Sequence, residues 1–279
     1  MPKGWIKQGI TNHQLKILAV IFMTCDHVGK ELFPDWSVLQ IVGRLAFPMF
    51  AFMIAEGCTH TGNRKKYLCS MGGLALFCQL VYFLALGSLY QGVLVTFTLS
   101  ILWIFVLEAW KSRWQMSREQ KVQAERNLLQ NMVLQSTATQ GPMLRKQNMG
   151  KMGREVVQSI RATIWPALGA AGTGLGIWII CRRMPQWLPH TDFAIDYGWY
   201  GVLLPVVFAI IKSRAGKLIG SALLLILLSL EYQGIQWYSL LALPLISLYN
   251  GKRGRYGWKY FFYIYYPLHL AVIYLISSL

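Results

Sequence analysis

Apolar stretches separated by short polar segments alternate from Leu15 to the end of the chain. A helix needs roughly 20 apolar residues to cross a bilayer core. Blocks near that length run at 15–33, 38–58, 68–87, 91–110, 162–181, 198–211, 216–231, 234–249 and 259–278, and the sixth and seventh are short enough to tilt or break. The pattern predicts an all-α, polytopic membrane helical bundle of about nine transmembrane helices. With 55% of residues apolar, the blocks leave no room for a soluble domain. The expected organisation is one membrane-embedded domain over 1–279, with 111–161 a cytoplasmic insertion.

The basic residues give the bundle a direction. Lys3, Lys7 and Lys16 precede the first block, Arg64, Lys65 and Lys66 follow the second, Lys212, Arg214 and Lys217 follow the sixth, and Lys252, Arg253 and Arg255 precede the ninth. The 111–161 segment holds ten Lys and Arg, whereas 34–37, 87–91 and 232–234 hold none. The exception is 182–197, opened by Arg182 and Arg183 and closed by Asp192 and Asp196. Cytoplasmic loops carry the excess of Lys and Arg, so the N-terminus is expected inside and the C-terminus outside. The formal charge of +16 is thereby accounted for by topology, and no nucleic-acid partner is expected.

Lesser features change the picture little. Residues 118–136, with Val122, Leu128, Leu129, Val133 and Leu134, read equally well as an amphipathic helix on the inner leaflet or as a mobile insertion. Gly169, Gly172, Gly174 and Gly176 in the fifth block suit close approach of another helix. Five cysteines without paired spacing point to buried thiols rather than disulfides. The polar first 14 residues lack an A-x-A-like cleavage site, so no removable signal peptide is expected.

Ionisable residues at membrane depth carry the chemistry, because each costs energy that function or pairing must offset. At about 1.5 Å per residue, His27 lies roughly 18 Å from the inner edge. Arg44, entering from outside on the second block, reaches a similar height to Asp26 and His27, and His269 of the ninth lies about 15 Å in. Adjacent helical residues point about 100° apart, which disfavours an Asp26–His27 pair. Asp26 is expected to pair with Arg44, with Lys30 one turn on as a competitor, leaving His27 to act on substrate as general base. The alternative is an ion pair that only locks two helices together.

A second group, Glu56, His60, Arg64 and Lys66, closes the second block. It reads as a site for a phosphorylated ligand or as ordinary helix-end charge, and two potential ligands make no metal site. Asp196, Tyr197 and Tyr200 sit where the chain re-enters from outside, as interfacial anchors with Asp196 a helix cap. Asn250, Lys252 and Arg253 form a turn whose Asn-Gly suits positive φ.

These residues lie in LKILAVIFMTCDHVG (15–29), IVGRLAFPMFAFMIAEGCTHTGNRKKYL (41–68), DYGWYGVLLP (196–205), ALPLISLYNGKRG (242–254) and KYFFYIYYPLHL (259–270). In order and content these stretches resemble the TraX family, associated with acetylation of the F-type pilin N-terminus. The insertion at 111–161 has no counterpart in a compact member. The resemblance implies a transmembrane acetyltransferase of the inner (cytoplasmic) membrane, distantly similar to multi-span acyltransferases that modify surface glycans with an early-span histidine and a nearby arginine. His27 matches that histidine and Arg44 the arginine. It further implies acetyl-CoA as donor, whose phosphates the basic inner ends suit, so that Glu56, His60, Arg64, Lys66, Asn250, Lys252 and Arg253 are the expected donor-binding set. The acceptor, a pilin-like amine or an envelope glycan hydroxyl, would meet Asp196, Tyr197, Tyr200, Tyr266 and His269. Direct transfer and an acetyl-histidine relay both fit. The competing reading is a proton-coupled transporter or flippase using the same layer, against which stand the odd span count and the lack of an internal repeat.

Overall fold

The computed structural model describes residues 9–136, 142–254 and 259–278. Among them the fold is all-helical: α1 (Asn12–Glu31), α2 (Ser37–Gly43), α3 (Ala46–His60), α4 (Arg64–Leu86), α5 (Val93–Ser136), α6 (Pro142–Arg182), α7 (Met184–Trp187), α8 (Gly198–Ile210), α9 (Arg214–Tyr232), a 3₁₀ helix (Gly234–Leu241), α10 (Ala242–Ser247) and α11 (Lys259–Ser277). Five described segments are long and apolar enough to cross a membrane: Ser37–His60, Arg64–Leu86, Val93–Asn127, Ile160–Arg182 and Arg214–Tyr232. Gly198–Ile210 and Tyr263–Ser277 are shorter apolar helices. The apolar surface of α4, with Leu76, Leu80 and Leu84 each more than half exposed, befits a helix facing lipid.

Local chemistry explains where these helices begin and break. Thr11 caps α1 in a capping box with Gln14, and Asn63 caps α4 by accepting from the Lys66 N–H. The expected second span is split at Arg44–Leu45 into α2 and α3. Pro48 has no N–H for the Arg44 carbonyl and its ring crowds that group, so the break falls where an uninterrupted helix would clash. The eighth expected span, 234–249, is an eight-residue 3₁₀ helix followed by six residues of α-helix.

In the polar 111–161 segment the helical reading of 118–136 holds, but as part of a longer helix. The helix of the fourth span continues to Ser136, and α6 begins at Pro142, well before the fifth span. Gln, Glu, Lys, Arg and Met are good helix formers, so the helical path does not stop where hydrophobicity does. The amphipathic side chains expected at Leu128, Val133 and Leu134 lie outside the described residues. A Cβ built on Gly169, Gly172 or Gly176 meets nothing within 4 Å among the described residues, so these glycines do not mediate a close helix contact here.

The chain divides into two compact units, Met1–Ile104 with Trp178–Leu279, and Phe105–Ile177. All of the candidate chemistry belongs to the first. Its core joins α1 to α2 and α3, α3 to α8, and α8 to α9. Close backbone approach sets the first contact: a Cβ on Gly43 would run into the backbone and carboxylate of Asp26. Buried Thr96 and Ser100 of α5 donate to the Asp196 and Val202 carbonyls at 2.6 and 2.9 Å, fastening α5 to the start of α8.

Candidate functional site

Because Gly43 lets α2 lie against α1, the following residue, Arg44, reaches Asp26 directly. One Asp26 oxygen accepts from Arg44 Nη2, and the other meets Lys30 Nζ at 2.6 Å. Arg44 and Lys30, weighed as competitors from spacing, are therefore simultaneous partners. Asp26 is 7% exposed, and two cations around one carboxylate leave the cluster net positive. The Nε of Arg44 is buried without a hydrogen-bond partner among the described residues, a donor not used by the ion pair.

His27, the next residue on α1, turns away from the carboxylate toward α11. Its ring meets that of His269 edge-on, with centroids 5.2 Å apart. Tyr265 stacks on His269 at 5.1 Å, nearly parallel, while Tyr266 lies 5.7 Å away. The Tyr265 hydroxyl is 2.7 Å from Thr24 Oγ1 of α1, joining the two helices one turn from the histidines.

A further wall of the site comes from the approach to α8. Asp196 accepts from the Tyr90 hydroxyl at 2.7 Å, and its N–H donates to the Gln91 carbonyl. It does not cap α8: the N-cap is Tyr197, without a side-chain cap bond. Tyr197 adopts φ 58°, a costly conformation for a bulky side chain. Its ring is held by stacking on Phe47 at 3.7 Å. Burial pushes the Asp196 carboxyl up from the usual carboxylate range, opposed by the Tyr90 hydrogen bond and by Lys30 and Arg44.

Below this layer lies a cavity of about 300 Å³, at the lower end of ligand-pocket sizes. On α1 it is lined by His13, Lys16, Val20 and Met23. These recur at helical spacing, and His27 is the next residue on that stripe. On α11 it is lined by Tyr263, Tyr265 and Tyr266, with His269 one turn further. Phe50, Met53 and Phe97 make its sides apolar, and His13, Lys16 and Arg253 make one end basic. That end is fixed by backbone bonds from Asn12 and His13 to the carbonyls of Lys252 and Arg253 at 2.9 and 3.3 Å.

The structure thus gathers Asp26, His27, Arg44, Asp196, Tyr197, Tyr266 and His269 around one region, while dispersing the rest. Tyr200 lies under Arg182 at 5.2 Å, and Arg182 makes a two-pronged pair with Glu231 at 2.7 and 2.8 Å. That pairing also neutralises one of the two arginines that broke the charge alternation. Glu56 faces Lys217 at 3.7 Å and accepts from the Tyr249 hydroxyl at 3.3 Å. His60 turns its Nδ1 to the Glu56 backbone carbonyl, and His60, Arg64 and Lys66 are exposed. Asn250 accepts from the Lys252 N–H within its turn, where Gly251 has φ 75°. Of the expected donor-binding set, Arg253 lines the cavity.

Sequence reading missed Tyr90, Tyr265, His13 and the cavity role of Lys16. Tyr265 had a usable signal, since it precedes His269 by one helical turn. Tyr90 sits in a loop whose only sequence mark is its lack of charge.

The model of the family described as TraX protein matches residues 11–136 and 167–277. The curated relatives include an uncharacterized protein of Rickettsia prowazekii, 51% identical over 49 residues, which are 17% of this chain and 20% of that protein. A probable fimbrial assembly protein, FimC, of Dichelobacter nodosus is 41% identical over 59 residues, 20% of this chain and 24% of its own length. Protein TraX of Escherichia coli is 28% identical over 103 residues, 35% of this chain and 42% of that protein. The chain thus matches less than half the length of each of these relatives, and no solved structure matches it. The family match covers most of the chain, including every residue of the Asp26 layer and of the cavity, and the chain belongs to the TraX family.

Proposed function

We propose that the protein is a transmembrane acetyltransferase that takes an acetyl group from cytoplasmic acetyl-CoA and delivers it to an amine or hydroxyl on the far side of the membrane. The observation that carries this reading is the cavity: basic at one end, apolar along its length, and lined by Tyr265 and Tyr266, whose rings contact His269, with His27 next on the α1 stripe. A coenzyme A thioester has the complementary form, with phosphates at one end of a linear arm and the reactive carbonyl at the other. His13, Lys16 and Arg253 meet the phosphates, and the arm brings the thioester toward His27. In this reading the enzyme sits in the inner membrane as a nine-span bundle with its N-terminus inside, an orientation that the alternation of basic loops supports.

The reacting groups follow from the layer. The attacking nitrogen or oxygen forms a bond to the thioester carbon and loses a proton, for which neutral His27 is placed as general base. Negative charge develops on the carbonyl oxygen, and Arg44 supplies both its charge and the unused Nε–H. Asp26 holds Arg44 in position. The C–S bond then breaks and coenzyme A leaves through the basic end. Asp196, Tyr197 and Tyr90 form the acceptor side. The fimbrial name of one relative and the family's association with pilin favour an N-terminal amine of a pilin-like peptide over a glycan.

The test is mass spectrometry of envelope peptides and glycans from cells expressing wild-type protein or His27→Ala. An acetyl mark present with wild type and missing with a normally produced variant supports the reading. The same mark with both excludes His27 as the base.

A further inference from the structure

Histidine 269 is buried to 6% exposure, and its two ring nitrogens have different surroundings. Nδ1 lies 2.9 Å from the Tyr265 carbonyl oxygen, one helical turn back. A carbonyl oxygen only accepts, so Nδ1 carries the hydrogen and donates it. The neutral ring therefore keeps a lone pair on Nε2, and that atom is buried without a hydrogen-bond partner among the described residues. A buried acceptor left unsatisfied carries a desolvation cost with nothing to offset it, so it calls for an explanation. Tyr265 reinforces the arrangement: its carbonyl fixes the tautomer, its ring stacks on the imidazole, and its hydroxyl is tied to Thr24.

His27 occupies a different electrostatic position. It lies beside Asp26, whose single negative charge is shared by Arg44 and Lys30, so a proton retained on His27 would face a net positive cluster. Moving that proton to His269 separates it from both cations and places it against the face of Tyr265, where a cation is stabilised. Among the described residues, the titratable or charged groups around the histidine pair are Asp26 and Lys30 on α1, Arg44 after α2, and Tyr265 and Tyr266 on α11.

We infer that His269, through Nε2, is the second base of the acetyl-transfer step, receiving through His27 the proton of the attacking group and holding it until the leaving thiolate takes it. This rests on the acetyltransferase reading above and deepens it. In the step, the acceptor N–H or O–H gives its proton to His27 as the new C–N or C–O bond forms. His27 releases a proton from its other nitrogen to His269 Nε2, directly or through one water. The C–S bond breaks to give the coenzyme A thiolate, which takes the proton from His269 on departure. The sum is acceptor plus thioester giving acetylated acceptor plus free thiol, with no other reactant.

Two measurements on full-length protein test the assignment. Nitrogen-15 NMR of histidine-labelled protein in lipid nanodiscs should report the Nδ1–H tautomer for His269; the Nε2–H tautomer overturns the proposal without any activity being measured. In membrane vesicles supplied with acetyl-labelled acetyl-CoA, His269→Gln keeps a donor for the Tyr265 carbonyl but has no basic lone pair. It should lose about 100-fold in transfer to membrane acceptors at neutral pH. It should regain part of that loss as pH rises and the acceptor loses its proton to solvent, and His27→Ala, which removes the first base of the same relay, should recover in the same direction. Folded yield of His269→Gln, read by size-exclusion after solubilisation, should match wild type. Transfer within threefold of wild type, or a loss that is flat across pH, overturns the role. Absence of transfer by the wild-type protein sinks the underlying acetyltransferase reading, and this role with it, whatever the tautomer.

Discussion

The layer around Asp26 and the basic end of the cavity both carry charge at the membrane, but they are built on opposite principles. In the layer, charged groups meet one another: Asp26 takes Arg44 and Lys30 at once, and Asp196 takes Tyr90. At the basic end, Arg253 is exposed and Lys16 lines an apolar cavity. Paired charge at depth fixes helices and tunes chemistry, because a broken pair leaves an uncompensated ion. Charge at an opening attracts a ligand from water and is screened by salt. Substitutions in the two regions should therefore fail differently, the first in folding and turnover, the second in donor affinity.

The largest effect is expected from Asp26→Ala, which strands Arg44 and Lys30 together. Removing the shared partner of a buried pair should cost about 3–5 kcal/mol, read as loss of folded protein in a thermal unfolding assay in detergent. Lys30→Ala should cost less than about 1 kcal/mol, since that side chain is 41% exposed. If both variants unfold alike, the layer does not work as a shared pair.

Gly43→Ala comes next. Its Cβ would meet the Asp26 backbone and carboxylate, and overpacking of this kind costs about 1–3 kcal/mol. Transfer should fall further than stability does, because α2 and Arg44 move together. A variant with wild-type melting and turnover would show that the close approach is dispensable.

The comparison sharpens at the other region. Lys16→Ala and Arg253→Ala should each raise KM for acetyl-CoA about fivefold to tenfold, roughly the 1–1.4 kcal/mol of one partly screened charge contact, while leaving kcat near wild type. Raising salt should erase most of the difference. Arg64→Ala and Lys66→Ala, whose side chains lie away from the cavity, should leave KM unchanged.

The smallest effect is confined to a loop. Asp192 accepts from the Ser88 hydroxyl at 2.5 Å and the Leu89 N–H at 2.8 Å, and these bonds hold its carboxyl below the usual range. A lowered folded-state value means the tie is complete above about pH 4 and is lost as pH falls through the folded value. Hydrogen exchange at Leu89 and Tyr90 should accelerate only in that acidic window.

Much of this was legible from the chain. Period and length marked the helices, and helical rise placed Asp26, His27, Arg44 and His269 at one level, because depth along a straight helix is simple arithmetic. Facing direction was legible only in part. Glu56 and Gly57 are neighbours, yet Gly57 lines the cavity and Glu56 turns to Lys217 and Tyr249. Helix rotation about its own axis is set by neighbouring helices, which one sequence does not specify. The break at Arg44 needed Pro48 to be read as an instruction for a carbonyl four residues earlier. A helix over 118–136 was one of the two readings of that segment and is present, but its unbroken continuity with the fourth span was not read, because hydropathy marks where a membrane can end, whereas helix propensity marks where a helix can.

The central claim is that the cavity carries acetyl-CoA to His27, and binding and transfer measured side by side on one variant test it most directly. Purified His27→Ala in nanodiscs should bind acetyl-CoA with a Kd within about twofold of wild type in equilibrium titration, yet transfer at least about 100-fold less acetyl to membrane acceptors. Wild-type transfer by that variant, or no acetyl-CoA binding by the wild-type protein, would contradict the account.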